Sequence, residues 1–267
     1  MVWSLRVAAT SPQIRLGEVA SNAESIRVAL KDAVAAGAEL IVLPELATSG
    51  YVFTDRDEAA EASITRDDPL WSELAAVLAP GVTAVVGYAE RAEHHLYNSA
   101  AVFTSDQWIG DYRKSHLWGA EAGLFEKGSI AGALFEVPFG RLGVAICYDN
   151  EFPEVPRRLA LGGADVLALP VNWPRVPRPN GERPPEIIQA MAAARSSRLA
   201  TVIADRVGTE RGVEWTEGTA VIDSGGWVSA VPDASGCAVQ TLVLGVRGDK
   251  SLPPHNDLFG DRRPHLY

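Results

Sequence analysis

Short and almost wholly apolar runs recur along this chain, and they constrain its fold more than any other feature. The runs Leu40–Leu43, Leu142–Ile146 and Val166–Leu169 contain no charged side chain and are far too short to cross a membrane. Strands have this composition when both faces of their sheet are covered. Because helical patterns alternate with these runs, the sequence predicts an α/β fold.

The spacing of apolar residues predicts the remaining elements. Crossover and hairpin connections occur together, so we expect a mixed sheet rather than a purely parallel one. The predicted helices are Trp71–Leu78, Val155–Leu161, Glu186–Leu199 and one that begins near Ser21-Asn22 and ends at Gly37. The further predicted strands are Leu5–Ala9, Thr83–Val86, Ser99–Phe103, Thr201–Ala204, and a hairpin of Thr219–Ser224 and Trp227–Val231 around Gly225-Gly226.

The chain contains no Pro-, Gly- or Ser-rich linker that would divide it. The segment Pro174–Pro185 is rich in Pro and Arg, but it lies between a predicted strand and a predicted helix and is typical of a surface loop. We therefore expect residues 1–267 to form one α/β domain.

Composition narrows the class of protein. Lys and Arg total 24 against 34 for Asp and Glu, which gives a net charge of −10 without any basic run. This balance argues against nucleic acid or an anionic membrane as a partner. Two cysteines cannot form a disulfide framework, and Met1–Thr10 lacks a signal-peptide core, so we expect a cytoplasmic protein.

Motifs for metals and nucleotides are missing from the sequence. It contains no His-Glu-x-x-His, Cys-x-x-Cys, Walker loop or Gly-x-Gly-x-x-Gly. The adjacent residues His94 and His95 would point to opposite faces of a strand and could not share a metal. We expect neither a metal nor an organic cofactor.

Two reactive side chains directly follow predicted strands. Glu45 comes after the run Leu40–Leu43 and Pro44, at the sheet edge where ligands bind in α/β proteins. Cys147 comes after Leu142–Ile146, at a strand-to-helix junction where a helix N-terminus favours a thiolate or an oxyanion. A solvated loop glutamate and a buried core cysteine are the alternative interpretations.

Other candidates are weaker when taken singly. Lys114 and Glu121 fit ordinary surface residues as well as functional ones. His116 could act as a base for Cys147, although the sequence gives no distance between them. Cys237, in a Ser-Gly turn, is interpreted as structural or incidental.

Together, three motifs resemble the signatures of the nitrilase superfamily, the carbon–nitrogen hydrolases. They are Leu43-Pro44-Glu45, residues 112–117 around Lys114, and Cys147-Tyr148-Asp149, in the order and at the intervals of that family. The resemblance covers almost the whole chain. It implies a four-layer α-β-β-α sandwich with two mixed β-sheets and a triad of Glu45 as general base, Lys114 as cationic partner and Cys147 as nucleophile. Glu121 matches a second glutamate that orients the substrate amide in amidase members.

The resemblance predicts an amidase that converts a small aliphatic or ω-substituted carboxamide to the acid and ammonia through a Cys147 thioester. Tyr148-Asp149 after the cysteine is similar to aliphatic amidases and ω-amidases, whereas nitrilases usually carry Trp-Glu. Residues 149–154, with Trp215 and Gly218, resemble small bacterial aliphatic amidases, including the 5-aminopentanamidase type. An N-carbamoyl (ureido) amide hydrolase and a nitrilase remain alternatives within the family. A non-catalytic scaffold is the alternative from another class.

Several residues near these motifs are candidates for a substrate pocket or, equally, for plain core packing. The acidic residues Asp149 and Glu151 could favour an amino-bearing substrate. The resemblance also implies a homodimer or higher homo-oligomer, to which the tail at Tyr267 could contribute. The candidate substrate-binding residues are Tyr51, Trp118, Tyr148, Asn172 and Trp173.

Overall fold

The apolar runs form the central strands of two large sheets. The structure, a computed structural model, describes residues 2–246, 249–252 and 254–266. Its strands are β1 (Trp3–Thr10), β2 (Leu40–Val42), β3 (Thr83–Ala92), β4 (His95–Phe103), β5 (Trp108–Arg113), β6 (Ala133–Val137), β7 (Gly140–Val144), β8 (Val166–Pro170), β9 (Ala200–Ala204), β10 (Thr209–Glu210), β11 (Val213–Glu214), β12 (Ala220–Ile222), β13 (Val228–Ala230), β14 (Cys237–Leu244), β15 (Ser251–Leu252) and β16 (Asn256–Asp257).

Helices connect the parallel strands of both sheets. Short 3₁₀ helices cover Cys147–Glu151 and Pro264–Leu266. No helix in the described ranges is long and apolar enough to cross a bilayer. The α-helices are α1 (Val19–Ala35), α2 (Arg56–Glu61), α3 (Leu70–Ala75), α4 (Glu121–Leu124), α5 (Glu154–Leu161) and α6 (Pro185–Ser197).

Each large sheet has six strands and a parallel centre. The first sheet runs β14-β1-β2-β3-β4-β5, with β1, β2 and β3 parallel. The second runs β13-β12-β9-β8-β7-β6, with β7, β8 and β9 parallel. The outer strands pair antiparallel in both sheets. The prediction of mixed sheets is therefore confirmed.

Successive side chains of the central strands point to opposite faces of their sheet, which produces four layers. In β2, Leu40 and Val42 join the core shared with the second sheet, whereas Ile41 and the following Leu43 pack with α1 and α3. On the far side, α5 and α6 bury their apolar residues against the second sheet. A strand buried on both faces needs apolar residues at every position, which explains the continuous runs. The α-β-β-α sandwich expected from the resemblance is confirmed.

Some element boundaries differ from the sequence prediction. Helix α1 begins at Val19, so Asn22 lies inside it rather than at its start. The buried Asn22 side chain instead binds the backbone of Arg15 and Thr48 and ties the helix to the loop after β2. Helix α3 ends at Ala75, short of the predicted Leu78.

The predicted hairpin around Gly225-Gly226 is present as β12 and β13, with Gly226 at φ +87°. Strands β5, β6 and β14 carry no clear apolar run and were not predicted. Tyr267, expected to contribute to subunit contacts, lies outside the described residues.

Candidate active site

Four strand ends bring together three predicted catalytic side chains and one predicted substrate-binding side chain. In the first sheet Glu45 follows β2 and Lys114 follows β5, and in the second sheet Cys147 follows β7 and Asn172 follows β8. The two sheets pack face to face, so these ends meet between them. Residues that lie up to 127 positions apart are thereby joined, as in the 2.9 Å hydrogen bond from Asn172 Nδ2 to the Glu45 carbonyl oxygen.

The backbone at Glu45 is held tightly by the neighbouring strand. Gly87 in β3 donates its N–H to the Pro44 carbonyl oxygen at 3.2 Å. A Cβ on Gly87 would lie 2.3 Å from that oxygen and 2.6 Å from the Glu45 Cα, so only glycine allows this approach. The next residue, Leu46, has φ +48°, an uncommon conformation for a side chain of its size. The contacts with β3 therefore hold the turn that presents Glu45 in this strained conformation.

Lys114 bridges two buried carboxylates. Its Nζ donates to Glu45 Oε1 at 2.6 Å and to Glu121 Oε1 at 2.8 Å, and all three side chains are almost fully buried. Asn98 Nδ2 also donates to Glu45 Oε1, at 2.7 Å. Glu45 Oε2 is buried and has no hydrogen-bond partner among the described residues. One oxygen of Glu45 is therefore fixed, and the other is free to exchange a proton.

The electrostatics of this cluster suit proton transfer near neutral pH. Burial raises the pKa of Glu45 to about 7, with Lys114 opposing the rise and Glu121 adding to it. Burial disfavours the charge on Lys114, but the carboxylates of Glu121 and Glu45 outweigh it and raise the pKa of Lys114 well above its usual value. Lys114 consequently stays cationic while Glu45 can change its charge.

Cys147 opens the 3₁₀ helix in a strained conformation. It is buried and has φ +47°, in the left-handed region. Strain of this kind costs about 1–3 kcal/mol and is concentrated at functional sites. Burial, followed by the negative charge of Glu45, raises the pKa of the thiol well above 9, although Lys114 and the Asn172 backbone N–H oppose the rise. The resting cysteine is therefore a neutral thiol that needs a base.

Asp149 holds the turn after Cys147 in place. Its carboxylate is fully buried and accepts hydrogen bonds from Ile146 N at 3.0 Å, Tyr112 Oη at 2.7 Å and Ser115 Oγ at 3.0 Å. The His116 ring nitrogen Nδ1 lies 2.8 Å from the same carboxylate. Asp149 is thus fully engaged inside the protein and cannot meet an amino-bearing substrate, which corrects that part of the expectation.

A cavity of about 460 Å³ opens at Cys147. Trp118, Tyr148 and Trp173, all predicted to bind substrate, line it together with the cysteine. Pro174 and Pro185, the two ends of the loop after β8, form part of the cavity wall, so this surface loop also shapes the cavity. The other lining residues are Glu151, Glu186, Ile188 and Gln189, of which only Glu151 was singled out from the sequence.

Two expected pocket residues lie behind the cavity wall. Asn172 is fully buried and positions the Glu45 backbone. The Tyr51 hydroxyl is buried and has no hydrogen-bond partner in the described part of the chain. Burial, with the negative charges of Glu121 and Glu45, raises the pKa of Tyr51. The backbone N–H of Tyr51 donates to the buried Glu210 at 2.8 Å.

The remaining sequence candidates have structural roles. His116 binds Asp149 and stacks on Phe152 at 3.9 Å between ring centroids, so its Nδ1 is engaged there rather than with Cys147. Cys237 begins β14 opposite Thr10 and packs against the helix-side core of the first sheet. Across residues 2–246, 249–252 and 254–266, no group of three or more His, Cys, Asp or Glu side chains could hold a metal.

Asn98 was missed as a site residue, although a signal was present. On β4 it shares a face with Ala100 and Val102, which are buried between the sheets. A polar side chain on the inward face of a strand needs a partner, and here the partner is Glu45.

Comparison with known proteins shows the family to which the chain belongs. The family model described as carbon-nitrogen hydrolase matches residues 6–241, and the chain therefore belongs to the carbon–nitrogen hydrolases of the nitrilase superfamily. It is 38% identical over 256 residues to a protein of Pyrococcus abyssi named nitrilase, covering 92% of each chain. It is 29% identical to the N-carbamoylputrescine amidase of Arabidopsis thaliana, covering 94% of this chain and 90% of that one. The chain is a hydrolase that acts on carbon–nitrogen bonds.

A solved structure supports the fold. The crystal structure of an amidase from Nesterenkonia sp. superposes with a TM-score of 0.81 at 24% identity, covering 98% of this chain and 94% of that one. At that identity the likeness concerns the arrangement of sheets and helices.

Proposed function

We propose that this enzyme is an amidase that hydrolyses small linear carboxamides to the carboxylic acid and ammonia through a thioester on Cys147. One observation carries the proposal. Lys114 binds both Glu45 and Glu121, the second oxygen of Glu45 has no partner among the described residues, and the charge of Glu45 acts on the buried Cys147 thiol. A base, a permanent cation and a nucleophile are the groups that acyl transfer requires.

In the first half-reaction, Glu45 Oε2 takes the thiol proton while the Cys147 sulfur attacks the amide carbon. The C–S bond forms, and the electron pair of the C=O π bond moves to the oxygen. Since the thiol pKa lies well above 9 and that of Glu45 is about 7, a free thiolate is disfavoured, and proton transfer accompanies attack. The Lys114 ammonium and the Tyr148 backbone N–H stabilise the oxyanion, each donor contributing about 3 kcal/mol.

The tetrahedral intermediate then collapses to the thioester. Protonated Glu45 donates its proton to the amide nitrogen, the C–N bond breaks, and ammonia leaves. Water enters, gives a proton to Glu45 and attacks the thioester carbon. The C–S bond breaks, and the sulfur regains its proton from Glu45, which restores the resting state.

Glu121 and Asn98 act by positioning. Glu121 Oε2 accepts the Trp118 N–H at 3.1 Å, and its Oε1 binds Lys114, so its carboxylate is fixed at the start of α4. The amide nitrogen of a substrate is a donor that such a carboxylate can orient. Asn98 holds Glu45 Oε1, which leaves Oε2 as the oxygen that can take the thiol proton.

Ammonia release from a panel of aliphatic amides, ω-amino amides, ureido acids and nitriles tests this proposal. We expect turnover of amides, and a loss of at least about a thousandfold in kcat/KM for Cys147→Ala. Cys237→Ala serves as the matched control, because that half-buried thiol packs against the helix-side core of the first sheet, and it should keep wild-type turnover.

Full activity of Cys147→Ala would refute the nucleophile assignment. Turnover of ureido acids or nitriles without turnover of amides would instead favour the alternative family activities. Absence of any cysteine-dependent turnover would favour the scaffold alternative.

A further inference from the structure

The cavity that ends at Cys147 has two carboxylates on its wall. Glu151 is the last residue of the 3₁₀ helix, and Glu186 lies in the first turn of α6. The Oε2 atom of Glu186 is buried and lacks a hydrogen-bond partner among the described residues. A buried carboxylate oxygen without a donor is unfavourable, and a positive charge placed nearby would stabilise it.

The two carboxylates are held near each other. Gln189 Nε2 lies 3.4 Å from the Asn150 carbonyl oxygen and joins α6 to the 3₁₀ helix. Burial, followed by the negative charge of Glu186, raises the pKa of Glu151, so the two groups repel each other. A cation between them would relieve the repulsion.

The remaining walls also suit a cation. The Trp118 and Tyr148 rings meet edge to face with centroids 4.9 Å apart, and the buried Trp173 lines the same cavity. Faces of Trp and Tyr attract ammonium and guanidinium groups. The described residues that line the cavity include no Lys or Arg that could neutralise the carboxylates.

The position of the carboxylates indicates which end of a substrate carries the charge. Cys147 and Glu151 are four residues apart on one 3₁₀ helix, so their Cα atoms lie about 8 Å apart at roughly 2.0 Å per residue. A charge on the carbon next to the amide would remain beside the cysteine. A charge at the far end of a short linear chain would reach Glu151 and Glu186.

Resting on the proposed amidase function, we propose that the enzyme selects linear carboxamides with an ammonium or guanidinium group at the end remote from the amide, and that Glu151 and Glu186 bind this group. The aromatic side chains Trp118, Tyr148 and Trp173 cover the intervening methylene groups. The scissile amide then lies at Cys147.

Paired substrates test the inference. 5-Aminopentanamide and hexanamide have the same chain length and differ in a terminal ammonium against a methyl group. We expect wild-type kcat/KM to favour the ammonium compound by about tenfold or more at low ionic strength, with the ratio falling as salt is added. In Glu151→Gln/Glu186→Gln the ratio should fall toward one.

Two further variants sharpen the test. Glu151→Lys should lower the ratio further and raise kcat/KM for glutaramate, whose far end is a carboxylate. Glu182→Gln removes an exposed carboxylate from the loop after β8 that does not line the cavity, so it should keep the wild-type ratio. Circular dichroism and thermal melts establish that each variant is folded.

Equal or better turnover of hexanamide by the wild type would overturn the inference, as would an unchanged ratio in the double glutamine variant. Failure of the amidase proposal itself looks different, because neither amide would then release ammonia.

Discussion

The buried carboxylate of Glu45 gives the enzyme a stability that depends on pH, and Glu45→Gln isolates this effect. Glutamine has nearly the same shape, and its Oε1 can still accept from Lys114 and Asn98. Its Nε2 replaces an oxygen that has no partner in the described residues. Lys114 keeps the carboxylate of Glu121 at 2.8 Å, so the substitution leaves no unpaired cation.

The magnitude follows from the pKa of Glu45, which burial raises from its ordinary value of 4.5 to about 7. Between these values the folded protein binds more protons than the unfolded chain, so the free energy of unfolding falls as pH rises. The contribution is fully present below pH 4.5 and is lost above pH 7. At 1.36 kcal/mol per pKa unit the loss amounts to about 3 kcal/mol.

Urea denaturation at pH 4, 5, 6, 7 and 8 measures this difference. We expect the unfolding free energy of Glu45→Gln, relative to wild type, to rise by about 3 kcal/mol between pH 4 and pH 8, while amidase activity is lost. Subtraction of the wild type removes other groups with raised pKa values, such as Asp205 at about 7. Glu73→Gln, on the exposed side of α3, is the control. A difference that stays constant across this range would refute the account of Glu45.

Three further substitutions test the supports of the site. Lys114→Met removes the cation between two buried carboxylates and should lower the unfolding free energy by about 3–5 kcal/mol at pH 8, and by less at pH 5, in urea titrations. Gly87→Ala should lower the unfolding free energy by about 1–3 kcal/mol and remove most of the activity, because the new Cβ would collide with the Pro44 carbonyl oxygen. Activity at the wild-type level would contradict this. Glu210→Gln leaves the buried Arg206 guanidinium without its 2.6 Å ion pair and should lower the melting temperature by several degrees in calorimetry.

The fold could be predicted from the sequence where burial is complete. Strands β2, β7 and β8 are buried on both faces, which leaves continuous apolar runs in the sequence. Strand β14 has exposed and half-buried positions at the edge of its sheet, so its pattern is mixed. In β5, Gly110 and Asp111 interrupt the apolar pattern. Phe135 from the other sheet contacts Gly110, and Tyr88 and Arg66 bind Asp111, partners that only the tertiary structure supplies.

In the candidate site too, some residues could be predicted from the sequence, whereas others are brought together only by the tertiary structure. Glu45, Lys114 and Cys147 were found because their motifs resemble a known family and because two of them follow apolar strands. Their convergence depends on the packing of two sheets, since each sheet contributes only part of the cluster. Glu186 was not found, because it meets Glu151 only where α6 packs on the 3₁₀ helix.

The central claim is that the acyl group passes through Cys147, and mass spectrometry of the enzyme quenched with acid during turnover tests it most directly. With 5-aminopentanamide and hexanamide we expect a mass increase equal to the acyl group, located by peptide mapping on the peptide that contains Cys147 and missing in Cys147→Ala. Turnover without any adduct, or an adduct on Cys237 that accounts for turnover, would contradict the account.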